Sequence, residues 1–223
     1  SSAICAEAYG QYTGLPGVCL VTAGPGGTNT ITGVVSAWLD SIPMIVLSGQ
    51  VQSRDLRGKR KVRQIGFQEV DFIPMVSSIT KYATTVKRSE DIRCIMEAAW
   101  HEATTGRKGP VWIDVPLDIQ SAQVDVSQLR PFKPTSEDTN ELKLLSNKVK
   151  KFYNLLNESK RPIVLAGNGI RLSGAEQRFV DLVEKLNIPV LTTWKAMDFL
   201  DENHPLYVGR PGIIGQRGAN FSQ

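Results

Sequence analysis

The sequence predicts an α/β protein with a parallel, doubly wound sheet, followed by a second and smaller α/β unit. Three observations predict it. The apolar runs at residues 18–21 and 44–47 lack period-two alternation and read as strands covered on both faces. Between them, Ile31, Val34, Val35 and Trp38 recur at i, i+3, i+4 and i+7, the stripe of one helix face. That connection is long enough for a crossover helix, so the two strands run parallel. The third observation is a repeat of the alternation near the carboxyl terminus: strand 162–166, helix 175–186, strand 189–193.

The elements follow in order. Residues 1–13 carry Ala3, Ala6, Ala8 and Tyr9 with few breakers, and Gly14-Leu15-Pro16-Gly17 closes them as a helix. After the first strand comes the turn Gly24-Pro25-Gly26-Gly27, with Thr28 and Asn29 placed to cap the next helix. Residues 51–66 are polar and basic and read as a long loop; residues 65–79 suggest a short helix before a strand at 82–86. Ser89, Glu90 and Asp91 open a helix whose stripe is Ile92, Ile95, Met96, Ala99 and Ala103, and Gly106 stops it. Residues 111–115 form another strand. From residue 120 to about 140, Ser, Asp, Thr, Pro131 and Pro134 replace any apolar period, as in a linker. The division is therefore residues 1–122, a linker at 123–140, and residues 141–223. Leu142, Leu145, Val149, Phe152, Tyr153 and Leu156 stripe the helix that opens the second unit.

Composition excludes several classes. No apolar stretch approaches the roughly 20 residues of a membrane span. Cys5, Cys19 and Cys94 have no paired spacing, which fits a reducing, cytoplasmic setting. His101 and His204 stand far apart, so neither a metal-ligand cluster nor a Ser-His-Asp or Cys-His constellation is expected. The net charge of +4 is local: Arg54, Arg57, Lys59, Arg60, Lys61 and Arg63 against Asp55 contribute +5, leaving −1 for the remainder. Without interleaved aromatics this is no nucleic-acid face. It reads as an exposed, poorly ordered loop, or as a site for an anionic substrate or partner.

The glycine turn is neither Gly-x-Gly-x-x-Gly nor a P-loop, since it lacks the lysine. Pro25 between two glycines makes a stiff loop whose backbone can approach a flat ligand, or simply a tight strand-to-helix turn. The later Gly167-Asn168-Gly169-Ile170-Arg171-Leu172 begins like a dinucleotide fingerprint without its third glycine, leaving packing turn and cofactor contact both open.

Gly14-Leu15-Pro16-Gly17-Val18, the 24–29 loop, Leu39-Asp40-Ser41-Ile42-Pro43 and Leu47-Ser48-Gly49-Gln50 follow one another in an ordered series. Phe67-Gln68-Glu69, Thr80-Lys81, Gly106-Arg107 and Gly109-Pro110-Val111 through Asp114-Val115-Pro116 continue it. Over residues 3–120 the series resembles thiamine-diphosphate enzymes of the acetolactate synthase type. Ala166-Gly167-Asn168-Gly169, Thr192-Thr193-Trp194 and Gly209-Arg210-Pro211-Gly212 resemble that family's central domain. The resemblance implies a flavodoxin-like pyrimidine-binding domain and part of a Rossmann-like central domain, truncated at both ends. It implies decarboxylation of a 2-oxo acid such as pyruvate and transfer of the enamine to a second carbonyl, as in branched-chain amino-acid biosynthesis. Pro25, Gly26, Asn29 and Gln68 would contact thiamine diphosphate, Gln68 and Phe67 would stand at the reaction, and Phe67 and Lys81 would face substrate. Core packing is the alternative for Phe67, whereas the Gln68 amide, flanked by buried segments, needs a partner of its own. Relatives that bind FAD hold it through the central domain, matched here by Gly167, Asn168, Gly169, Thr193, Trp194 and Gly209.

The family's proton-relay glutamate would fall about two positions before Ser1, and its magnesium–diphosphate motif lies in a third domain. Glu7 is about two helical turns too far on, roughly 10 Å, and reads as structural. The parent would be an oligomeric transferase or lyase, a homodimer or homotetramer, and this chain alone would be inactive. The 24–29 loop would border an intersubunit surface, with free N–H groups at Thr28 and with Phe67 and Trp38 beside it. A bulky residue at Gly27 would then weaken association more than folding. One departure stands out: the segment between Gln50 and Phe67 is longer than acetolactate synthases usually have. It raises two alternatives, a decarboxylase or lyase of the family acting on another anionic substrate, and a noncatalytic binding or assembly module.

Overall fold

A computed structural model describes residues 2–134 and 139–223. The chain divides into two compact units, Ser1–Thr135 and Ser136–Gln223. In the first, helix α1 (Ser2–Thr13) leads to β1 (Gly17–Val21), a helical turn α2 (Pro25–Thr28), α3 (Ile31–Asp40) and β2 (Met44–Gln50). A long loop then reaches α4 (Phe72–Val76), β3 (Tyr82–Thr85), α5 (Ile92–Thr104), β4 (Pro110–Pro116) and α6 (Leu117–Gln120). The four strands pair in parallel in the order β1-β2-β4-β3.

Alternation along β2 sends side chains to opposite faces. Met44 and Val46, with Cys19 and Trp112, pack beneath Ala3, Ala6, Val34, Ala37, Phe72 and Val76 of α1, α3 and α4. Ile45, with Val111 and Ile113, meets Ala99 and Ala103 of α5. Helices on both faces make residues 44–47 of β2 and 111–113 of β4 an unbroken apolar run, as the sequence implies.

β1 differs from expectation. Val18 is 58 % exposed and Leu20 74 %, because β1 lies at the sheet edge and α5 packs across β2, β3 and β4. The capping expectation also changes. Gly24, at φ 62°, stands before α2, and Thr28 and Asn29 continue the chain as helix and its end. The Thr28 N–H, expected to be free, donates to Gly24 O at 3.0 Å, and that of Asn29 to Pro25 O at 3.1 Å.

The second unit contains α7 (Thr139–Glu158), β5 (Val164–Ala166), α8 (Gly169–Leu172), α9 (Glu176–Leu186), β6 (Val190–Thr192), β7 (Tyr207–Gly209) and α10 (Arg217–Ser222). Its strands are parallel in the order β5-β6-β7. β7 goes beyond the two expected strands, being too short to show a pattern. Phe179 and Val183 of α9 pack on Ala166, Val190, Ala196, Phe199 and Leu200. Arg171 braces this core, its guanidinium 4.8 Å above the Phe199 ring and 2.6 Å from Asp198. The α7 helix forms as predicted, yet Leu145, Val149, Phe152 and Tyr153 of its stripe are all exposed. The Leu142 side chain and the linker residues 135–138 lie outside the described residues.

Gly27 requires a correction. It is buried within its own unit, and a Cβ there would stand 2.3 Å from Phe72 Cζ. It therefore serves packing, not an outer surface. Gly27→Ala is expected to lower the unfolding free energy by about 1–3 kcal/mol through overpacking, read as a lower urea midpoint; an unchanged midpoint would refute the contact's importance.

Candidate functional site

Because the strands are parallel, their carboxyl ends share one edge, where ligands of such sheets bind. An open cleft of about 700 Å³ lies there, lined by Leu20, Val21 and Thr22 at the end of β1, Gln50 and Val51 at the end of β2, Val115 and Gln120 by β4, and Phe67 and Gln68. The glycine turn meets the Phe67-Gln68 segment directly. A Cβ on Gly24 would lie 2.8 Å from Gln68 O, so only glycine admits this approach. Pro25 and Asn29 are exposed, but neither they nor Gly26 line the cleft, and Gly26 backs onto Thr22, 2.7 Å from where a Cβ would stand.

Phe67 is 82 % exposed, which removes the core-packing reading. Gln68 is exposed too, so its amide is not the buried group expected from its flanks. Its backbone, at φ 59°, adopts the left-handed conformation that a non-glycine residue rarely holds, a feature that gathers at ligand sites.

Beneath this segment is a polar network that the motif search passed over. Asp114 is 2 % exposed in β4. Its carboxylate accepts hydrogen bonds from Ser48 Oγ at 2.5 Å, Gln50 Nε2 at 3.0 Å and Thr85 Oγ1 at 3.4 Å. Trp112 Nε1 donates to Ser48 Oγ at 2.9 Å, and Gln50 Nε2 also donates to Val70 O at 2.8 Å. The Gln50 amide thus ties β2 and β4 to the chain just after Gln68. Burial pushes the Asp114 carboxyl up to about 6, against the three hydrogen bonds and with a small push from Asp71. An acid inside Val111-Trp112-Ile113-Asp114-Val115 was the available signal, since a buried carboxylate requires partners.

Glu69, also buried, accepts from Ile65 N at 2.8 Å and from Arg57 N. Gly66 N donates to Asp55 O at 3.0 Å. These bonds clasp the base of the basic loop, while Arg54, Lys59, Arg60, Lys61 and Arg63 are exposed, in keeping with a loop of solvated cations.

Lys81 is not brought to Phe67 and Gln68. It precedes β3, at the opposite, amino-terminal edge of the sheet, and its ammonium donates to Thr105 O at 2.6 Å and to Glu102 O. Burial lowers its pKa from the ordinary lysine range, against Glu102. Trp38 lies beside it, with Leu39, Arg107 and Lys108, around a cavity of about 290 Å³. Trp38 therefore adds nothing to the surface near Pro25. Glu7 does not line the cleft either.

In the second unit, Gly167, Asn168 and Gly169 follow β5, Thr193 and Trp194 follow β6, and Gly209 ends β7, so all share one carboxyl edge. Thr193 N donates to Ala166 O at 2.9 Å, and Trp194 is 59 % exposed. Among the described residues, no three His, Cys, Asp or Glu side chains gather as a metal site, and no helix is long and apolar enough to cross a membrane.

Two family profiles match. The thiamine pyrophosphate enzyme N-terminal TPP binding domain covers residues 1–75, and the thiamine pyrophosphate enzyme central domain covers residues 149–222. The chain belongs to the thiamine pyrophosphate enzymes. The probable acetolactate synthase large subunit of Methanococcus aeolicus is 37 % identical over 99 % of this chain and 36 % of its own length. That of Methanocaldococcus jannaschii is 36 % identical over 100 % of this chain and 37 % of its length, and the Lactococcus lactis acetolactate synthase large subunit 37 % over 97 % and 36 %. The chain thus spans little more than a third of these curated relatives.

The cleft has apolar walls from Leu20, Val21 and Val115 and an exposed amide at Gln68, a lining that fits a flat, polar-edged ring.

Asp114 also sets a pH dependence. Its folded pKa, about 6, lies above the ordinary 3.8, so proton binding favours the folded state. Its contribution is fully present below pH 4 and lost as pH rises through 6, amounting to about 3 kcal/mol. Urea midpoints should fall over that window in the native sequence, and Asp114→Asn should flatten the fall; an equal slope in the variant would assign it to other groups.

Proposed function

We propose that this chain is the pyrimidine-side portion of a thiamine-diphosphate-dependent, acetolactate synthase-like transferase. The parent decarboxylates a 2-oxo acid such as pyruvate and transfers the resulting two-carbon unit to a second carbonyl. The observation that carries this is the meeting of the Gly24–Asn29 turn with Phe67-Gln68 at one edge of the sheet, in a chain whose relatives are named acetolactate synthase large subunits. Thiamine diphosphate, when bound, supplies the carbon nucleophile that attacks the 2-oxo acid.

The protein's own part is placement. Pro25 and Gly26 present backbone to the ring face, and Asn29 and Gln68 offer amides to its polar edge. Phe67, projecting at the cleft mouth, shields the reacting carbon from water. The Asp114–Gln50–Val70 chain holds the segment that carries Gln68. Magnesium would be held elsewhere in the parent. FAD would lie against Gly167, Asn168, Gly169, Thr193, Trp194 and Gly209, on the edge of the second sheet. The parent works as a cytoplasmic homodimer or homotetramer.

The test uses the full-length parent, assayed for acetolactate from pyruvate with thiamine diphosphate and Mg2+. Gln68→Ala should lower kcat/KM by about 10- to 100-fold, the worth of a hydrogen bond to a charged or polarised group. Its melting temperature should hold, because the side chain is exposed. Pyruvate consumed with no acetolactate formed would favour the decarboxylase or lyase reading. An unaltered Gln68→Ala variant would remove that residue from the site.

A further inference from the structure

The basic loop concentrates the chain's positive charge. Six cations and one acid occupy residues 54–63, and the fold uses little of that charge. Arg54–Asp55 and Arg57–Asp71 are long contacts, 3.8 and 3.9 Å, between mostly exposed groups. Arg60 makes one weak bond, Nη1 to Leu56 O at 3.4 Å. Lys59, Lys61 and Arg63 are exposed and pair with no acid among the described residues. A like-charged run of this density repels itself and is ordinarily left slack. Here it is held: Glu69 clasps its two ends, Gly66 N bonds Asp55 O, Arg60 N bonds Arg57 O at 3.1 Å, and Gly58 turns the chain at φ 55°. Fixing the backbone that carries the cations in advance reduces the entropy lost when an anion binds them.

Position says which anion. The loop leaves from Gln50 and Val51 and returns as Phe67 and Gln68, so both of its stems line the cleft. None of the six cations lines it. A ligand reaching both must place its reacting carbonyl in the cleft and a charged group outside, over the loop.

We propose that residues 54–63 select a carbonyl substrate carrying a second anionic group, phosphate or carboxylate, remote from the reacting carbon. This rests on the cleft being the reaction site and adds to it the class of substrate. Lys59, Arg60, Lys61 and Arg63 are the specificity residues; they attract the remote anion and take no part in bond making.

The experiment compares the full-length parent with a Lys59→Gln, Arg60→Gln, Lys61→Gln, Arg63→Gln variant. With pyruvate as donor, the acceptors are glyceraldehyde and glyceraldehyde 3-phosphate, with succinic semialdehyde against butanal as the carboxylate pair. Native protein should favour the charged member of at least one pair by tenfold or more in kcat/KM. The variant should lose about that factor while its CO2 release from pyruvate alone is unchanged. Raising ionic strength should erode the same preference in the native protein, as screening of exposed charge requires. Equal use of charged and neutral acceptors, or a preference that survives in the variant, overturns the proposal. So does a variant that changes only the binding of an acidic protein or of nucleic acid. Absence of CO2 release would fail the reaction reading instead. Calorimetric titration of glycerol 3-phosphate and of succinate, which needs no turnover, then decides the loop: tighter binding to the native protein supports it, and equal binding refutes it.

Discussion

The parallel register of β2 on β4 is the constraint on which the first unit depends. It sets Ser48 opposite Asp114 and Gln50 opposite Pro116, and so places a hydroxyl and an amide within reach of a carboxylate that would otherwise be buried without partners. It joins chain segments more than sixty residues apart, and both faces of those strands are roofed by helices. Shifting it by one residue would turn Met44 and Val46 toward α5, turn Ile45 toward α3, and strand the carboxylate.

The same register orients the cleft. Gln50 spends one amide hydrogen on Asp114 and the other on Val70 O, while its carbonyl accepts from Val51 N at 3.0 Å. Every polar atom of that side chain is used, and its acceptor Val70 stands two residues after a backbone held left-handed at Gln68. Such a conformation persists where the surroundings over-determine it, and here those surroundings are the Gly24 approach on one side and the Gln50 bridge on the other.

Much of this was readable from sequence because it is periodic. The apolar run of β2 and the stripes of α3 and α5 state their neighbours in advance. What escaped reading depends on which neighbour is present. The apolar run of β1 reads like that of β2, yet its edge position leaves Val18 and Leu20 open. Gly27 looks like any turn glycine until Phe72, forty-five residues on, is seen to need its space. Lys81 is close in sequence to Phe67, but a strand direction separates them, since the amino ends of parallel strands gather at the far edge. The candidate site divides in the same way. The Gly24–Asn29 turn and Gln68 follow from motif and resemblance, whereas the Asp114 network requires knowing which strands are adjacent.

The clasp at Glu69 has a consequence for how such a protein can diversify. One carboxylate takes the amides of Arg57 and Ile65, so the chain between them is an excursion that begins and ends at one point. The entropy of closing a loop grows only with the logarithm of its length. Residues can therefore be inserted, deleted or exchanged within the excursion at small thermodynamic cost, while Phe67 and Gln68 stay where the sheet puts them. A cassette of this kind lets the exposed residues of the excursion drift while the sheet-held end of the loop keeps its geometry.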